Sequence, residues 1–588
     1  MCGIIGYIGK KSLEEVLIEG LKNLEYRGYD SSGIALQNFN DVQIIKSTGK
    51  IKELEKKLQE INLINSNIGI AHTRWATHGN PNIENAHPHQ VGNITLVHNG
   101  IIENANELRQ KLTKEGVKFK SQTDTEVLCA LINFYYKNDI SSAIKKALKE
   151  VKGSYALAIL VKKDESIYAI KKDSPLIVGI DKDGYFIASD ISAIIKYTNK
   201  YIVLEENELV KLSQNDYVIT KNNKIIKKSI QSTEIDFESI TKSNYKHYML
   251  KEIMEEEILL EKTFNIYNDK DSLIDISKYE EIHIIGCGSA MYAGMVGKTL
   301  LEEKSNIRCY VECASEYRYK KIFYDRKTLV ILISQSGETA DTIAAMRKAK
   351  ENKIDSLAIV NVKTSTIARE SDYKIFIEAG KEIAVATTKA YLLQVTIFSL
   401  LAYFSSINKH ILKEINLKEE EKNILRHLKN ILEQRKKYYE IAKKIFQEED
   451  IYFIGRGIDY SLCLEGSLKL KEISYIHSEA YQAGELKHGT IALINKNTPV
   501  IAIISDQNIA DKTLSNIEEV KSRGANVIII STKKISNSEN NIVVPKISDF
   551  FQPILIIPIL QLIAYEVANL RNCDIDKPKN LAKSVTVE

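Results

Sequence analysis

Hydrophobic and polar positions change their pattern near the middle of the chain. Up to about residue 230, short apolar runs recur between turn signals, and such runs predict β-strands. Only two stretches in this part, 13–24 and 125–136, have helical spacing. Strands with few helices predict sheet layers that are covered by helices. The predicted strands are 3–8, 33–36, 68–71, 94–97, 155–160 and 177–180.

The second half of the chain has the pattern of parallel-sheet α/β units. After a polar stretch at 213–246, long helical segments alternate with compact apolar strands. The pattern occurs twice, and each copy begins with a buried strand that ends in Gly-x-Gly before a helix. Two tandem α/β domains, joined by a helical stretch around 417–446, are the simplest account. The repeat pairs 282–288 with 451–457, 328–334 with 498–504, and 356–360 with 526–530.

Composition narrows the class of protein. The chain has 588 residues, of which 44% are hydrophobic and 27% charged, with a net charge of +4. This small charge gives no support for nucleic-acid or acidic-membrane binding as the main role. We find no apolar run that reads as a membrane span and no signal-peptide pattern at the start. The seven scattered cysteines form no disulfide framework, so we expect a reducing, cytoplasmic location.

The second residue is a candidate nucleophile. Removal of Met1 would leave Cys2 with both a thiol and a free α-amine. An α-amine has a pKa of about 7.7–8.0, so it can accept the thiol proton near neutral pH. Many chains carry a small second residue by chance, and position alone leaves that alternative open.

Two loops in the first repeat are candidate anion sites. The segment 334–339, Ser-Gln-Ser-Gly-Glu-Thr, follows a strand and opens a helix that begins near Thr339. Backbone N–H groups and the helix dipole favour an anion there, although serine and threonine are also common helix caps. Gly286-x-Gly288-Ser289 also lies between a strand and a helix, which favours phosphate binding.

The second repeat carries different chemistry. Glu465, Lys469 and Glu472 are spaced i, i+4 and i+7, so they share one face of a helix. Such a face is usually a solvated set of salt bridges, but it also suits a general base beside a lysine. His488 stands between glycines in a following loop, and the tail 580–588 would by default be a frayed terminus.

Several ordered motifs in the first half resemble the class II glutamine amidotransferases, which are N-terminal nucleophile enzymes. The motifs are Cys-Gly-Ile-Ile-Gly at 2–6, Arg-Gly-Tyr-Asp-Ser at 27–31, His-Thr-Arg-Trp-Ala-Thr-His-Gly at 72–79, His-Asn-Gly at 98–100 and Thr-Asp-Thr-Glu at 123–126. The second half resembles two copies of the sugar isomerase domain. With the ending Leu-Ala-Lys-Ser-Val-Thr-Val-Glu at 581–588, the whole chain resembles the glutamine–fructose-6-phosphate aminotransferase family.

The resemblance implies roles in glutamine hydrolysis. Cys2 would attack the glutamine amide, while the Asn99 side chain and the Gly100 N–H form the oxyanion hole. Arg74 would bind the glutamine α-carboxylate and Asp124 the α-ammonium group. Thr77 and His78 would help to build the pocket, and Trp75, the one tryptophan, would be a gate towards an ammonia channel. The clustered histidines suggest a metal, but the resemblance implies neither a metal nor any other cofactor.

The resemblance also implies roles in the second half. Glu472 would move a proton between C1 and C2 of the sugar, with Glu465 and Lys469 as accessory residues. His488 would open the sugar ring in the neighbouring subunit, and Lys583 would form a Schiff base with the open ketose. Ala290 departs from the family pattern, because it replaces a hydroxyl and puts one sugar or phosphate contact in doubt. The remaining sugar-phosphate-binding residues would be Ser289, Ser334, Gln335, Ser336, Thr339 and Thr387.

We therefore expect a multidomain α/β enzyme that takes glutamine and fructose 6-phosphate. An αββα glutaminase domain would be followed by two doubly wound parallel-sheet sugar isomerase domains that form a homodimer. An amidophosphoribosyltransferase or an asparagine synthetase would need a pyrophosphate-sugar or ATP-pyrophosphatase loop, and we find neither. A regulatory sugar-phosphate sensor would not need Cys2, Arg74 or Asp124. The expected boundaries are 2–230 for the glutaminase, 231–250 for a linker, 251–425 and 426–573 for the isomerase domains, and 574–588 for a tail that completes the sugar site.

Overall fold

The computed structural model describes residues 2–75, 79–233, 242–324, 326–535 and 540–585. Two of the expected pocket residues, Thr77 and His78, lie outside these ranges. The described residues fall into two compact units, each with its own core. The first lies within Met1–Thr241 and Ala582–Glu588, and the second within Lys242–Leu581.

The first unit is built mainly from antiparallel strands. Its helices are α1 (Leu13–Leu24), α2 (Ile51–Gln59), α3 (Ala105–Lys114), α4 (Asp124–Tyr135) and α5 (Ile140–Glu150), with 3₁₀ turns at Glu25–Arg27 and Ile191–Ala193. Its strands are β1 (Gly3–Gly9), β2 (Ser31–Gln37), β3 (Val42–Thr48), β4 (Ile68–Arg74), β5 (His89–Val91), β6 (Ile94–Ile102), β7 (Gly153–Val161), β8 (Asp164–Lys172), β9 (Ile177–Asp181), β10 (Gly184–Ala188), β11 (Lys200–Val203), β12 (Leu209–Leu212), β13 (Tyr217–Lys221), β14 (Lys224–Ile226) and β15 (Gln231–Ser232).

Two antiparallel sheets pack face to face between layers of helices. One sheet has the strand order β15-β11-β9-β10-β1-β4-β2-β3, and the other β14-β13-β12-β8-β7-β6-β5. Because successive side chains of a strand face opposite ways, Ile4 of β1 enters the core between the sheets while Ile5 packs against α1. A third core joins the second sheet to α3, α4 and α5. This arrangement is the expected αββα sandwich.

The sequence pattern finds the strands of this unit better than its helices. All six predicted strands lie within observed strands, and α1 and α4 occupy the two predicted helical stretches. The helices α2, α3 and α5 were missed. They are short, at 9 to 11 residues, and α3 has only two buried positions, Leu108 and Leu112.

The second unit alternates strands and helices. Its strands are β16 (Glu281–Gly286), β17 (Arg308–Cys313), β18 (Thr328–Ser334), β19 (Asp355–Val360), β20 (Tyr373–Phe376), β21 (Asp450–Gly455), β22 (His477–Gln482), β23 (Pro499–Ile504), β24 (Asn526–Ser531) and β25 (Asn541–Val543). Its helices are α6 (Tyr248–Met254), α7 (Glu256–Ile266), α8 (Ser289–Ser305), α9 (Ala314–Tyr317), α10 (Ala340–Glu351), α11 (Thr366–Glu370), α12 (Lys389–Asn408), α13 (Leu417–Glu433), α14 (Arg435–Ala442), α15 (Ile458–Ser474), α16 (Ala510–Lys521) and α17 (Gln552–Leu570), with 3₁₀ turns at Leu486–His488 and Thr490–Leu493.

The two copies of the repeat have the same topology. The sheet order is β17-β16-β18-β19-β20 in the first copy and β22-β21-β23-β24-β25 in the second, all parallel. Both place the second strand at one edge beside the first, which is a doubly wound order with its switch point at the first strand. Even a backbone detail repeats, since Gly288 and Gly457 precede α8 and α15 with φ/ψ of 55°/−130° and 55°/−127°. The expected pair of related α/β domains is confirmed.

The expectation about apolar runs needs correction. By length and hydropathy alone, α12 and α17 could each cross a membrane. Within the fold, however, 94% and 89% of their apolar windows are buried. Their side chains belong to the large core that α8, α15 and the two parallel sheets share. They are helices of the protein core, apolar on all sides because they are covered on all sides.

Candidate active sites

The start of β1 holds Cys2 against the end of β4. The register of these antiparallel strands pairs Gly3 with Thr73, so the preceding residue meets the segment after Thr73. The backbone N–H of Trp75 donates to Cys2 Sγ at 3.3 Å, and Sγ lies 3.5 Å from the Trp75 carbonyl oxygen. Burial raises the pKa of the Cys2 thiol, whereas the Trp75 N–H and the charge of Arg74 lower it. The thiol therefore needs a base to become a nucleophile.

A donor from the opposite sheet approaches the same residue. Asn99 Nδ2, on β6, donates to the backbone carbonyl oxygen of Cys2 at 3.1 Å. The next residue, Gly100, has φ of +134°, and a Cβ there would lie 2.1 Å from the Ser154 carbonyl oxygen. Only glycine fits this conformation. Of the two residues expected to form an oxyanion hole, Asn99 is thus in contact with Cys2, and Gly100 follows it on β6.

Charged groups of both signs lie near the thiol. Arg74 is 3% exposed and its charge acts on Cys2, as does that of Asp124. Asp124 begins α4, and its Oδ2 accepts a hydrogen bond of 2.9 Å from the Ile102 N–H. A guanidinium and a carboxylate near a nucleophile match the carboxylate and ammonium groups of an amino acid. Trp75 is half-buried, and its ring meets that of Tyr29 edge-on at 5.8 Å.

Sequence reasoning missed a role for the buried histidines of this unit. His72, on β4, lies with Nε2 3.1 Å from Asn99 Oδ1 and 3.0 Å from the His98 carbonyl oxygen. Its ring stacks on that of His87 at 4.0 Å, and His87 meets His89 at 5.0 Å. The described residues contain no group of three His, Cys, Asp or Glu side chains suited to a metal. The cluster of five histidines, at 72, 78, 87, 89 and 98, was visible in the sequence, but the contacts of the buried ones depend on which strands face each other.

In the second unit, the loop between β18 and α10 has its hydroxyls turned inwards. Ser334 Oγ lies 2.9 Å from Thr339 Oγ1 and accepts a hydrogen bond from the Gly337 N–H. Ser336 Oγ accepts from the Glu338 N–H. Gly337 has φ of +65°, and a Cβ there would lie 2.0 Å from Ser365 Oγ. Gln335 is also in this turn, which ends at the N-terminus of a 12-residue helix. This geometry suits a phosphate group.

The three charged residues of α15 form a buried cluster rather than a solvated face. Lys469 Nζ lies 2.6 Å from Glu472 Oε2 and 3.5 Å from Glu465 Oε1. The side chains of Lys469 and Glu465 are 1% and 2% exposed, while that of Glu472 is 21% exposed and is the accessible member. Burial by itself lowers the pKa of Lys469. The carboxylates of Glu465 and Glu472 have the larger combined effect and raise this pKa above its ordinary value. An accessible carboxylate held by a buried lysine can accept and return a proton.

A serine of the first copy binds this cluster of the second copy. Ser289 Oγ, at the start of α8, donates to Glu465 Oε1 at 3.0 Å across 176 residues of sequence. Burial raises the pKa of Glu465 to about 7. The charge of Lys469 lowers this pKa, whereas that of Glu472 raises it further. The Gly-x-Gly-Ser turn is thereby fixed to the helix that carries Glu472. Ala290 follows it in the first turn of α8.

Glu382 is a further residue that sequence reasoning missed. Its Oε1 accepts hydrogen bonds from the N–H groups of Thr388 and Ala390 at 3.0 and 3.1 Å, which caps α12. Thr387 is half-buried directly before this cap. The carboxylate of Glu382 also acts on the charge of Lys469. The segment that carries Thr387 is therefore tied electrostatically to the buried cluster.

Two expected site residues are not placed with the others. His488 is exposed in the 3₁₀ turn Leu486–His488. Lys583 is half-buried in the terminal segment that groups with the first unit.

The second copy differs from the first at the corresponding loop. At the N-terminus of α15, the buried carboxylate of Asp459 accepts hydrogen bonds from the backbone N–H of Ser505, at 2.8 Å, and from its hydroxyl. Burial raises the pKa of Asp459 to about 6. Ser505 lies in the loop after β23, which corresponds to the phosphate-type loop after β18. A protein carboxylate thus takes donors that could otherwise bind an external anion.

Comparison with known families agrees with this division. The profile of the SIS domain matches 275–403 and 444–568, and that of a glutamine amidotransferase domain matches 74–196. The two SIS matches cover the two parallel sheets. The amidotransferase match covers Arg74, Asn99, Gly100 and Asp124.

Full-length relatives have the same span as this chain. A glutamine–fructose-6-phosphate aminotransferase (isomerising) from Clostridium tetani is 46% identical over 611 aligned residues, which cover 100% of both chains. Proteins of the same name from Bacillus subtilis and Thermus thermophilus are each 41% identical, again over 100% of both chains. A solved structure, the C-terminal domain of the aminotransferase from Francisella tularensis, is 38% identical with a TM-score of 0.55. It covers 57% of this chain and 99% of its own.

Proposed function

The chain belongs to the family of isomerising glutamine–fructose-6-phosphate aminotransferases, and from this premise we propose how its own residues carry the reaction. The enzyme hydrolyses glutamine and uses the ammonia to convert fructose 6-phosphate into glucosamine 6-phosphate. The observation that best supports the proposed roles is the contact between Cys2, beside one sheet, and Asn99 on the other.

In the first half-reaction, Cys2 attacks the glutamine amide carbon after its thiol proton moves to its own α-amine. The new S–C bond leaves negative charge on the carbonyl oxygen, where Asn99 Nδ2–H and the Gly100 N–H donate to it. The tetrahedral intermediate then collapses and the C–N bond breaks. The protonated α-amine of Cys2 returns its proton to the leaving nitrogen, which departs as ammonia. Water then hydrolyses the thioester to glutamate and returns the thiol.

Recognition of glutamine rests on charge. Arg74 binds the α-carboxylate and Asp124 the α-ammonium, and their near-complete burial strengthens both interactions. Thr77 and His78 complete this pocket, and Trp75 is the gate for ammonia. Removal of Met1 is part of the proposal, since the α-amine of Cys2 serves as the base.

In the second half-reaction, the loop of Ser334, Gln335, Ser336 and Thr339 holds the sugar phosphate, together with Ser289 and Thr387. His488 of one copy opens the sugar ring in the site of another, so the enzyme works as a homodimer. The Lys583 amine condenses with the C2 ketone and releases water. Ammonia displaces the lysine from this imine, and Glu472 moves a proton from C1 to C2. In sum, fructose 6-phosphate and ammonia give glucosamine 6-phosphate and water.

The wider expectations also belong to the proposal. The seven cysteines are all unpaired, which supports a reducing, cytoplasmic location. The reaction as written needs no cofactor, nucleic acid or membrane. We retain 2–230, 251–425 and 426–573 as domain boundaries, with 231–250 as the linker and 574–588 as the tail.

The substitution Cys2→Ala tests the two-site scheme. We expect glutamine-dependent synthesis to be abolished, because Cys2 is the proposed nucleophile and alanine has no group that can attack the amide. Synthesis from a high concentration of ammonium should remain, because that route needs only the isomerase half. Glucosamine 6-phosphate is measured with each nitrogen source, and intact mass spectrometry reports removal of Met1. Equal loss of both activities in a folded variant would reject the scheme.

A further inference from the structure

His72 connects the two sheets of the first unit at the proposed oxyanion hole. It lies on β4, beside the strand β1 that directly follows Cys2, and reaches β6 of the opposite sheet. Its Nε2 is 3.1 Å from Asn99 Oδ1 and 3.0 Å from the His98 carbonyl oxygen. The residue is fully buried, and this burial lowers its pKa to about 3. The imidazole is therefore neutral near pH 7.

The contacts of this ring define its tautomer. A carbonyl oxygen can only accept, so the hydrogen of the neutral ring must be on Nε2. Nδ1 then carries a lone pair, and among the described residues this buried atom has no hydrogen-bond partner. The Nε2–H consequently has two acceptors, the His98 carbonyl oxygen and Asn99 Oδ1.

This hydrogen determines which way the Asn99 amide points. An amide rotated by 180° has nearly the same shape, so packing alone distinguishes the two orientations poorly. With Oδ1 against the Nε2–H of His72, Nδ2 faces Cys2 and donates to its carbonyl oxygen. In the rotated state, Nδ2 would meet the N–H of His72 and Oδ1 would face the place where negative charge develops. Both contacts would be repulsive.

We infer that His72 is a positioning residue of glutamine hydrolysis: its Nε2–H holds the Asn99 side chain with the amide N–H directed at the reacting carbonyl. The inference rests on the proposed function and adds a residue for which sequence reasoning gave no role. His72 does not touch the substrate. It acts through Asn99, and its effect is confined to the step in which charge develops on oxygen.

Neighbouring contacts hold the His72 ring in place. His87 stacks on it with ring centres 4.0 Å apart. The backbone N–H of His98 donates to His87 Nδ1 at 3.4 Å, so the stacked ring is tied to the strand that carries Asn99. The ring of His72 is thus fixed from one side by stacking and from the other by two acceptors. A residue held in this way can orient another with little loss of entropy.

The test compares amides of two lengths at position 72. In His72→Gln the side-chain nitrogen can lie where Nε2 lies now, whereas in His72→Asn it reaches only to the level of Nδ1. We expect His72→Asn and His72→Leu to lower kcat for glutamine hydrolysis. The decrease should approach the roughly 10²–10³-fold loss that removal of an oxyanion donor causes. KM for glutamine should change little, because Arg74 and Asp124 are untouched. His72→Gln should recover most of kcat.

Two further measurements separate positioning from folding. Alkylation of Cys2 by iodoacetamide needs no oxyanion hole, so its rate should be similar in all variants. Ammonium-dependent synthesis should also be similar. The inference is overturned if Gln and Asn lose kcat equally, if KM rises instead of kcat falling, or if alkylation slows in parallel. If Cys2→Ala itself still hydrolyses glutamine, the proposed function fails, whatever the His72 variants do.

Discussion

At the scale of single residues, the glutaminase site depends on a glycine at position 100. Gly100 carries no Cβ, and its φ of +134° places the backbone beside the Ser154 carbonyl oxygen. The oxyanion donor is therefore a backbone group whose position any side chain would disturb. The motif His-Asn-Gly showed these residues in the sequence, but not the carbonyl that excludes a larger residue.

Gly100→Ala should abolish most glutaminase activity. The new Cβ would lie 2.1 Å from the Ser154 oxygen, so the strand must shift and move the Gly100 N–H. Gly116→Ala is a matched control, since Gly116 also has positive φ, +86°, but nothing within 4 Å of the added Cβ. That variant should lose about 1 kcal/mol of stability through strain alone and keep its activity. Steady-state glutamine hydrolysis and thermal unfolding would be measured; equal activities would contradict the steric argument.

Glu465 should make the stability of the second unit depend on pH. Burial raises its pKa from 4.5 to about 7, so the folded protein binds a proton that the unfolded chain releases. The stability that this proton contributes is fully present below the pKa of 4.5 in the unfolded chain, and it is lost as the pH rises through about 7. Between pH 5 and 8 the wild-type melting temperature should therefore fall more than that of Glu465→Gln. The control Glu518→Gln removes a carboxylate that is 70% exposed and should follow the wild type. Parallel curves for all three would show that Glu465 does not titrate in this range.

At the scale of elements, the proposed sugar site depends on the turns between a strand and the next helix. The β18–α10 turn is shaped by Gly337, and the β16–α8 turn by Gly288, both with positive φ. The sequence identified both turns because Gly, Ser and Thr have characteristic positions at a helix start. It could not show that Ser289 is bonded to Glu465, because that contact joins residues 176 positions apart.

Gly337→Ala should weaken sugar-phosphate binding. A Cβ at this position would lie 2.0 Å from Ser365 Oγ, so the loop must move away and its donors lose their arrangement. Gly380→Ala is matched in backbone conformation, with φ of +64° against +65°, and has nothing within 4 Å. With ammonium as the nitrogen source, KM for fructose 6-phosphate should rise in Gly337→Ala and stay near the wild-type value in Gly380→Ala. A similar KM in both would mean that the loop does not hold the phosphate.

At the scale of the whole molecule, the fold was more predictable than the site. Alternating and continuous apolar runs located the sheets, and the Gly-x-Gly repeat identified two related domains. The residues that orient others were not predictable, since His72 acts through a contact between two sheets and Glu382 through a helix cap. The three charges of α15 have the spacing of a solvated face, and only burial in the core shows their chemical character.

The first unit should work alone as a glutaminase. Cys2, Arg74, Asn99, Gly100 and Asp124 all lie within it, and it has cores of its own between and outside its sheets. A fragment of residues 1–241 should hydrolyse glutamine and form no glucosamine 6-phosphate. The same fragment with Cys2→Ala is the control for contaminating activity. Assays of glutamate and amino sugar would decide, and an inactive but folded fragment would show that the site is incomplete without the rest of the chain.

Asp459 has a consequence for the history of this chain. After an ancestral domain was duplicated, both copies could have kept an anion pocket, but one now fills its own with a carboxylate. The other copy kept the pocket and contributes none of the three charges on α15. Each copy supplies a part of the proposed sugar site that the other does not, so deletion of either would leave that site incomplete. Because each copy depends on the other in this way, a chain with a single isomerase domain could no longer form the site.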